Sequence, residues 1–456
     1  MASTRNQEAG RLTPSAVSHV GGPWLTVAMA GIGIYLWVIH SAKADLGSYA
    51  ILLGLAGILL QPARLRFPAP LLWFGGWLLW AAITAPMALD TAQTADTLVE
   101  FGKLWLIFLL AANVAQSPRQ LAALVVVWLA IYALYPVRGT FFNFFAGIQI
   151  FGRYAWNFIF RNPNDLAALT LLILALSVAT LQGRQSRQWI RLSALAGTIV
   201  LPILIVITQS RGGILALGTF GLMVLVQYRR EARGLAITAL AAGAVYFAAP
   251  PEVWDRLGGI LGVRSPEVLR EADVEGSADQ RFEIWKVAAA ISQDHRITGV
   301  GLGNYPATHA AYASTGNFAP TARGARDTHS IYLNALAETG VVGLLLLLAM
   351  FGSALRGGWR TAAALGERDP VAAQQLRTLV VGLVAFLQAG IFATLHVVAF
   401  PYLYMGILAA AIVILPTVPV TLARRRGEWA AGRAATGGRA PGGLPVPEPI
   451  ATSRFQ

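Results

Sequence analysis

About twelve apolar runs follow one another along this chain, near 22–41, 47–62, 68–86, 100–116, 119–136, 164–182, 190–208, 212–228, 233–249, 328–354, 374–396 and 402–421. A hydrocarbon core takes about 20 residues of helix, and helices or closed barrels are the economical ways across because every backbone group must be satisfied. The expected fold is therefore all-α and polytopic, with about twelve transmembrane helices. Composition agrees: 56% of the 456 residues are hydrophobic and only 12% are charged, far outside ordinary soluble usage. The absence of cysteine excludes disulfides, thiolate nucleophiles and cysteine-bound metals.

The formal charge of +13 would suggest nucleic acid in a soluble domain. Here many of the cations sit in short loops and in the tail, where topology and lipid headgroups account for them. Arg64 and Arg66, Arg119, Arg184, Arg229, Arg356 and the Arg424 to Arg426 cluster all fall on one side if twelve spans alternate. By the positive-inside tendency that side is the cytoplasm, so both termini are expected there. The opposite, outer side receives an aromatic stretch, 137–163, and the one long segment that does not read as membrane helix, 250–327. The expected organisation is a cytoplasmic head over 1–21, helices one to nine over 22–249, and the large outer loop with amphipathic helices over 250–327. Helices ten to twelve follow over 328–421, and a disordered tail over 422–456. Phe141 to Phe151 is too short to span, and reads either as an interfacial or re-entrant element or as an apolar loop.

Several residues could carry chemistry. Arg211, in ITQSRGG, lies between two apolar runs at the outer boundary. A guanidinium cannot shed its proton to ease burial; a bound phosphate would explain it there, as would snorkelling to headgroups. Arg281 opens RFEIWKVAAAI, whose apolar residues from Phe282 to Ile291 fall at helix spacing, with Lys286 and Trp285 as interfacial anchors. GVGLGNY, residues 299–305, looks like a dinucleotide loop but lacks the final spacing and any parallel sheet, so a nucleotide site is rejected. A tight turn bringing backbone amides near a ligand stays open.

His329 lies where the outer loop enters the tenth span, behind Arg323, Arg326 and Asp327. A histidine there can take a proton from an attacking hydroxyl, or serve only structure. Glu338 is nine residues further on, offset by about 180° on a helix, so the two need not share a face. It reads as a functional carboxylate or a structural partner, with Asn334 nearby. Asn162, Asn164 and Asp165 are placed to cap the sixth span. No cluster has metal-site character, so neither a metal nor a cofactor is expected.

Taken together, SRGG, an outer-loop arginine with tryptophan four residues on, GxGxxxY and the D-T-H-S-x-Y-L-N-x-x-x-E-x-G run resemble the O-antigen ligase and polymerase superfamily. The resemblance implies a GT-C-like glycosyltransferase of the bacterial inner membrane with a periplasmic site. Its donor would be a glycan on undecaprenyl diphosphate, its acceptor the lipid A core of lipopolysaccharide, and its chemistry inverting and metal-independent. Carried over by motif, the catalytic residues are Arg211, Arg281 and His329. Further candidates for substrate contact are Arg161, Lys286, Arg323, Asn334 and Glu338. The family commonly has Asn after the histidine, where this chain has Ser330. A polymerase joining lipid-linked units and a protein O-oligosaccharyltransferase share the implied donor; a transporter is the alternative of another class.

Overall fold

The computed structural model describes residues 23–41, 46–61, 65–183, 187–228, Gly243 and 277–417. The expected head, the ninth span, the first part of the large loop and the tail lie outside the described residues. What is described up to Pro416 belongs to one compact unit. Among the described residues there is no sheet, only an isolated bridge between Ile150 and Arg153.

The helices are α1 (Pro23–Ser41), α2 (Gly47–Leu59), α3 (Ala69–Thr84), α4 (Thr91–Asn113), α5 (Pro118–Tyr132), α6 (Arg138–Phe145) and α7 (Pro163–Gln182). They continue with α8 (Gln188–Ile207), α9 (Arg211–Tyr228), α10 (Ser277–Asp294), α11 (Tyr305–Thr315), α12 (Ile331–Leu365), α13 (Pro370–Ala389) and α14 (Phe400–Ile414). Eleven of the twelve apolar runs coincide with helices. Among the described residues, seven helical stretches are long and apolar enough to cross a membrane, and α1, α2 and α9 are apolar but shorter. The protein is thus a polytopic, all-α membrane protein.

Local sequence sets the helix starts. Asn162 accepts the amide of Asn164 at 2.9 Å and Pro163 follows it, so α7 opens as its sequence predicts. Asp90, Ser117, Ser330 and Asp369 cap α4, α5, α12 and α13 in the same way. Once begun, α7 is apolar all round, and every residue from Leu166 to Thr180 is buried. Such a helix belongs at the centre, and α7 packs against α5, α8, α9, α13 and α14. Small residues let the backbones close: a Cβ on Gly31 would overlap Gly54, and one on Gly382 would overlap Ala175. Side chains also bond across the helices, as where Gln375 donates to the Ala179 carbonyl at 2.9 Å and the Tyr132 and Thr170 hydroxyls meet at 2.7 Å.

The aromatic run from Phe141 starts inside a helix and leaves it after Phe145. Helix continues from Pro118 to Phe145 as one apolar stretch, with a π turn at Ala133–Val137 holding Pro136. Proline removes a donor and clashes with the preceding turn; widening that turn lets the helix pass through it.

Helix α12 is broken at Gly340, where φ is +67° and ψ is −173°. The Val341 amide beyond the break donates to the Arg296 carbonyl at 2.8 Å. An added Cβ on Gly340 would overlap the Ile297 carbonyl. Gly340→Ala is therefore expected to destabilise the protein by about 2–4 kcal/mol through backbone strain and overlap. Denaturation of the purified protein checks it; a variant as stable as the parent would mean that the break tolerates a side chain.

Candidate functional site

The loop 323–330, α10, the first residues of α9 and the turn 390–399 meet at one end of the bundle. His329 is the last residue but one before α12, and its φ is +49°. Non-glycine residues rarely adopt this left-handed conformation, which costs roughly 1–3 kcal/mol. Its neighbours hold it there. The Thr328 carbonyl accepts from Trp285 Nε1 at 2.9 Å, and the Thr328 hydroxyl donates to the Ser330 carbonyl at 3.0 Å. On the far side the Ile331 amide donates to the Gly390 carbonyl at 2.9 Å. Burial holds the His329 imidazole below the ordinary histidine range, Asp327 pulls it back up, and the Arg281 and Arg326 cations push it down. The ring is neutral at neutral pH and able to accept a proton.

Arg281 is half-buried in the first turns of α10, whose helix matches the spacing of the sequence: Ile284, Val287, Ala288 and Ile291 are all buried. One turn on, Trp285 stacks on Phe392 with ring centres 6.1 Å apart. Phe392 in turn packs against Gly212, where a Cβ would sit 3.2 Å from its ring. Arg211 is the residue before Gly212 and opens α9. The chain Gly212, Phe392, Trp285, Thr328 thus joins the three stretches that carry Arg211, Arg281 and His329, and Arg281 lies within electrostatic reach of the His329 ring.

The SRGG motif explains itself in this setting. Ser210 Oγ accepts the Gly213 amide at 3.2 Å, which caps α9, and donates to Asn164 Oδ1 at 2.9 Å. The same Asn164 oxygen takes Nη1 of Arg153 at 3.1 Å. The two glycines leave room for neighbours, since a Cβ on Gly213 would overlap Ala167 of α7. Arg281 lies within electrostatic reach of Asp165 at the start of that helix.

Glu338 is buried and bound to the 299–305 turn. Its carboxylate takes the backbone amides of Gly303 and Tyr305 and the Asn334 side chain. The Val300 and Gly301 amides donate to the Ala337 and Glu338 carbonyls, each at 2.9 Å. Asn304 then ties the 299–305 turn to α4 through the Asp90 carbonyl and Thr94 Oγ1, at 3.1 and 2.9 Å. The glycines of GVGLGNY serve these close approaches: a Cβ on Gly299 would overlap the Glu338 backbone. The amides of Val300, Gly301, Gly303 and Tyr305 are engaged by the protein itself.

The remaining candidates are more peripheral. Lys286 is exposed and paired with Glu283 one turn away. Arg323 is exposed, and its carbonyl accepts from Arg326 Nε at 3.2 Å. Arg161 is exposed over the Phe151 ring, 5.7 Å from its centre. Among the described residues no three of His, Asp and Glu converge as a metal site would require.

Sequence reading missed Phe392, Thr394 and Arg153. Phe392 and Thr394 sit in a turn that reads as part of an apolar run, more than 60 residues from His329. No local pattern distinguishes them. Arg153 carried a weak signal, a cation between an aromatic run and the FRNPND cap.

Fold and site together define a polytopic helical membrane protein with a cationic, histidine-bearing centre at one end of its bundle. Residues 196–348 match the family model described as O-antigen ligase, a stretch that contains Arg211, Arg281 and His329. The matched stretch, about a third of the chain, is similar to the O-antigen ligase family over the segment that carries the site. No curated protein matches the chain.

Proposed function

We propose that this protein transfers a glycan from undecaprenyl diphosphate to the lipid A core of lipopolysaccharide, at the periplasmic face of the inner membrane. The observation that carries the proposal is the packing of Trp285 on Phe392 and Thr328, which accompanies a neutral His329 within electrostatic reach of Arg281, with the start of α9, where Arg211 stands, packed on the same Phe392. The family match, which spans Arg211, Arg281 and His329, and the cytoplasmic side expected for the arginine-rich loops support it.

Arg211 and Arg281 bind the donor diphosphate and offset the charge that grows on it as the glycosidic bond breaks. His329 takes the proton of the acceptor hydroxyl. The acceptor oxygen attacks the anomeric carbon from the face opposite the diphosphate, a C–O bond forms, and undecaprenyl diphosphate leaves with the bonding pair. A single displacement of this kind inverts the anomeric centre. The leaving group is already a diphosphate, so no nucleotide is consumed, and the arginines supply the charge compensation that a divalent metal gives other transferases.

The test is a reconstituted assay with undecaprenyl diphosphate-linked glycan, offering lipid A core, a second lipid-linked unit and a pilin-like protein separately, with and without excess chelator. Product on lipid A core, unchanged by chelator, is expected. Product on another acceptor alone would keep the chemistry and move the protein to the polymerase or protein-transfer class. Activity that disappears with chelator and returns only with a divalent ion would defeat the arginine account.

A further inference from the structure

The turn 390–399 between α13 and α14 lies beyond the family match, yet it touches the site twice. Phe392 packs between Trp285 and Gly212. Thr394 meets the loop that carries His329: its hydroxyl donates to Asp327 Oδ1 at 2.7 Å and lies 3.1 Å from the Thr328 hydroxyl. A threonine has one proton to give. With that proton on Asp327, Thr394 can only accept from Thr328, whose own single proton is shared between Thr394 and the Ser330 carbonyl. The same Asp327 oxygen accepts the His329 amide at 3.4 Å, two residues on. An aspartate bonding to the backbone two residues ahead forms a turn that accommodates a left-handed residue. At 3.4 Å this bond is long, and the short contact from Thr394 keeps the carboxylate in place to make it.

We propose that Thr394 and Asp327 act as a positioning pair that fixes His329 in its left-handed conformation and places a carboxylate beside the imidazolium formed when His329 takes the acceptor proton. The pair rests on the transferase reading for its purpose, though not for its geometry. Asp327 contacts the histidine's backbone rather than its reacting nitrogen, so it acts through His329 and is not itself a catalytic residue. The charges around His329 make the pair consequential. Arg281 from α10 and Arg326 from the loop both oppose protonation of the ring, and Asp327 alone favours it. The turn 390–399 contributes one titratable side chain, His396, which is wholly buried and held neutral by that burial. Arg211, across Phe392, adds a further cation to this end of the bundle. Asp165 at the start of α7 couples to Asp327 and Arg281, and without Asp327 the imidazolium would lose the carboxylate that favours its charge.

Asp327→Asn separates the two roles, because it keeps the oxygen acceptor and removes the charge. Thr394→Ser keeps the hydroxyl, and Thr394→Val removes it. In the full-length protein, transfer from undecaprenyl diphosphate-linked glycan to lipid A core is measured against pH at saturating donor. Asp327→Asn is expected to lower the plateau about tenfold, less than the roughly 10²–10⁴-fold that a general base itself contributes, and to move the acid limb to lower pH, since the imidazolium loses the carboxylate that favours it. The donor KM should be unchanged. Thr394→Val should lower the plateau and Thr394→Ser should restore it. An Asp327→Asn profile that superimposes on the parent, or a Thr394→Ser variant as impaired as the valine, would overturn the pair. The imidazole titration of His329, followed by NMR in histidine-labelled protein, reads the same coupling without any transfer. A lower midpoint in Asp327→Asn supports the pair even if no acceptor yields product, in which case the transferase reading alone has failed. An unchanged midpoint sinks the pair whatever the activity.

Discussion

Replacing His329 with alanine is expected to reduce glycan transfer by roughly 10³-fold, toward the upper end of what a positioned general base contributes, while donor binding persists. The expectation follows from the state of the ring. Burial is the largest influence on His329 and it favours the neutral form, as do Arg281 and Arg326. The acid limb of the rate profile should accordingly lie below the ordinary histidine value of 6.5, with activity rising as the imidazole loses its proton. Alanine at a φ of +49° is itself strained, so a second variant is needed. Asparagine visits the left-handed region with less strain, keeps a polar side chain and cannot serve as a base at neutral pH. His329→Asn should be as inactive as the alanine variant, with the thermal stability of the parent. Transfer by His329→Asn within tenfold of the parent would remove the histidine from the proton step.

How far the sequence foretells this site differs from residue to residue, and the differences have physical reasons. Helices are set by local apolar length, so eleven of the twelve runs appear where hydropathy puts them. The passage through Pro136 was not foreseen, because a proline reads as a stop unless the turn widens around it. Arg211, Arg281 and His329 stand out because a cation or a histidine beside an apolar run is conspicuous. Glu338 is conspicuous for the same reason, but the half-turn offset from His329 does not apply, because His329 precedes α12 in a left-handed conformation. Its carboxylate holds the amides of the 299–305 turn, which also accounts for the glycines that mimic a dinucleotide loop. The partners that bring the site together were illegible. Phe392 and Thr394 are ordinary residues in a helix-to-helix turn, and only the packing of α13 and α14 against α7 and α12 delivers them to Trp285 and Asp327.

Arg211→Ala and Arg281→Ala are each expected to lower transfer by about 10²–10³-fold, the loss measured when one preorganised donor to a developing negative charge is removed. Each arginine offers a planar fork suited to two phosphate oxygens, and lysine offers one compact charge. Lysine should therefore restore only part of the activity at either position. The two need not fail alike. Arg211 opens an 18-residue helix, so the dipole at the start of α9 adds to its pull on an anion, and its loss should appear mainly as weaker donor binding. Arg281 lies within reach of the His329 imidazole as well. Its removal takes away a cation that opposes protonation, so the acid limb should move to higher pH, opposite in sign to the Asp327→Asn shift. If both arginines grip one diphosphate, the double alanine variant should be less impaired than the product of the two single losses, because groups that act on a shared ligand are not additive. Losses that simply multiply would place the arginines on separate parts of the substrate, and near-normal transfer by either single variant would take that residue out of the diphosphate site.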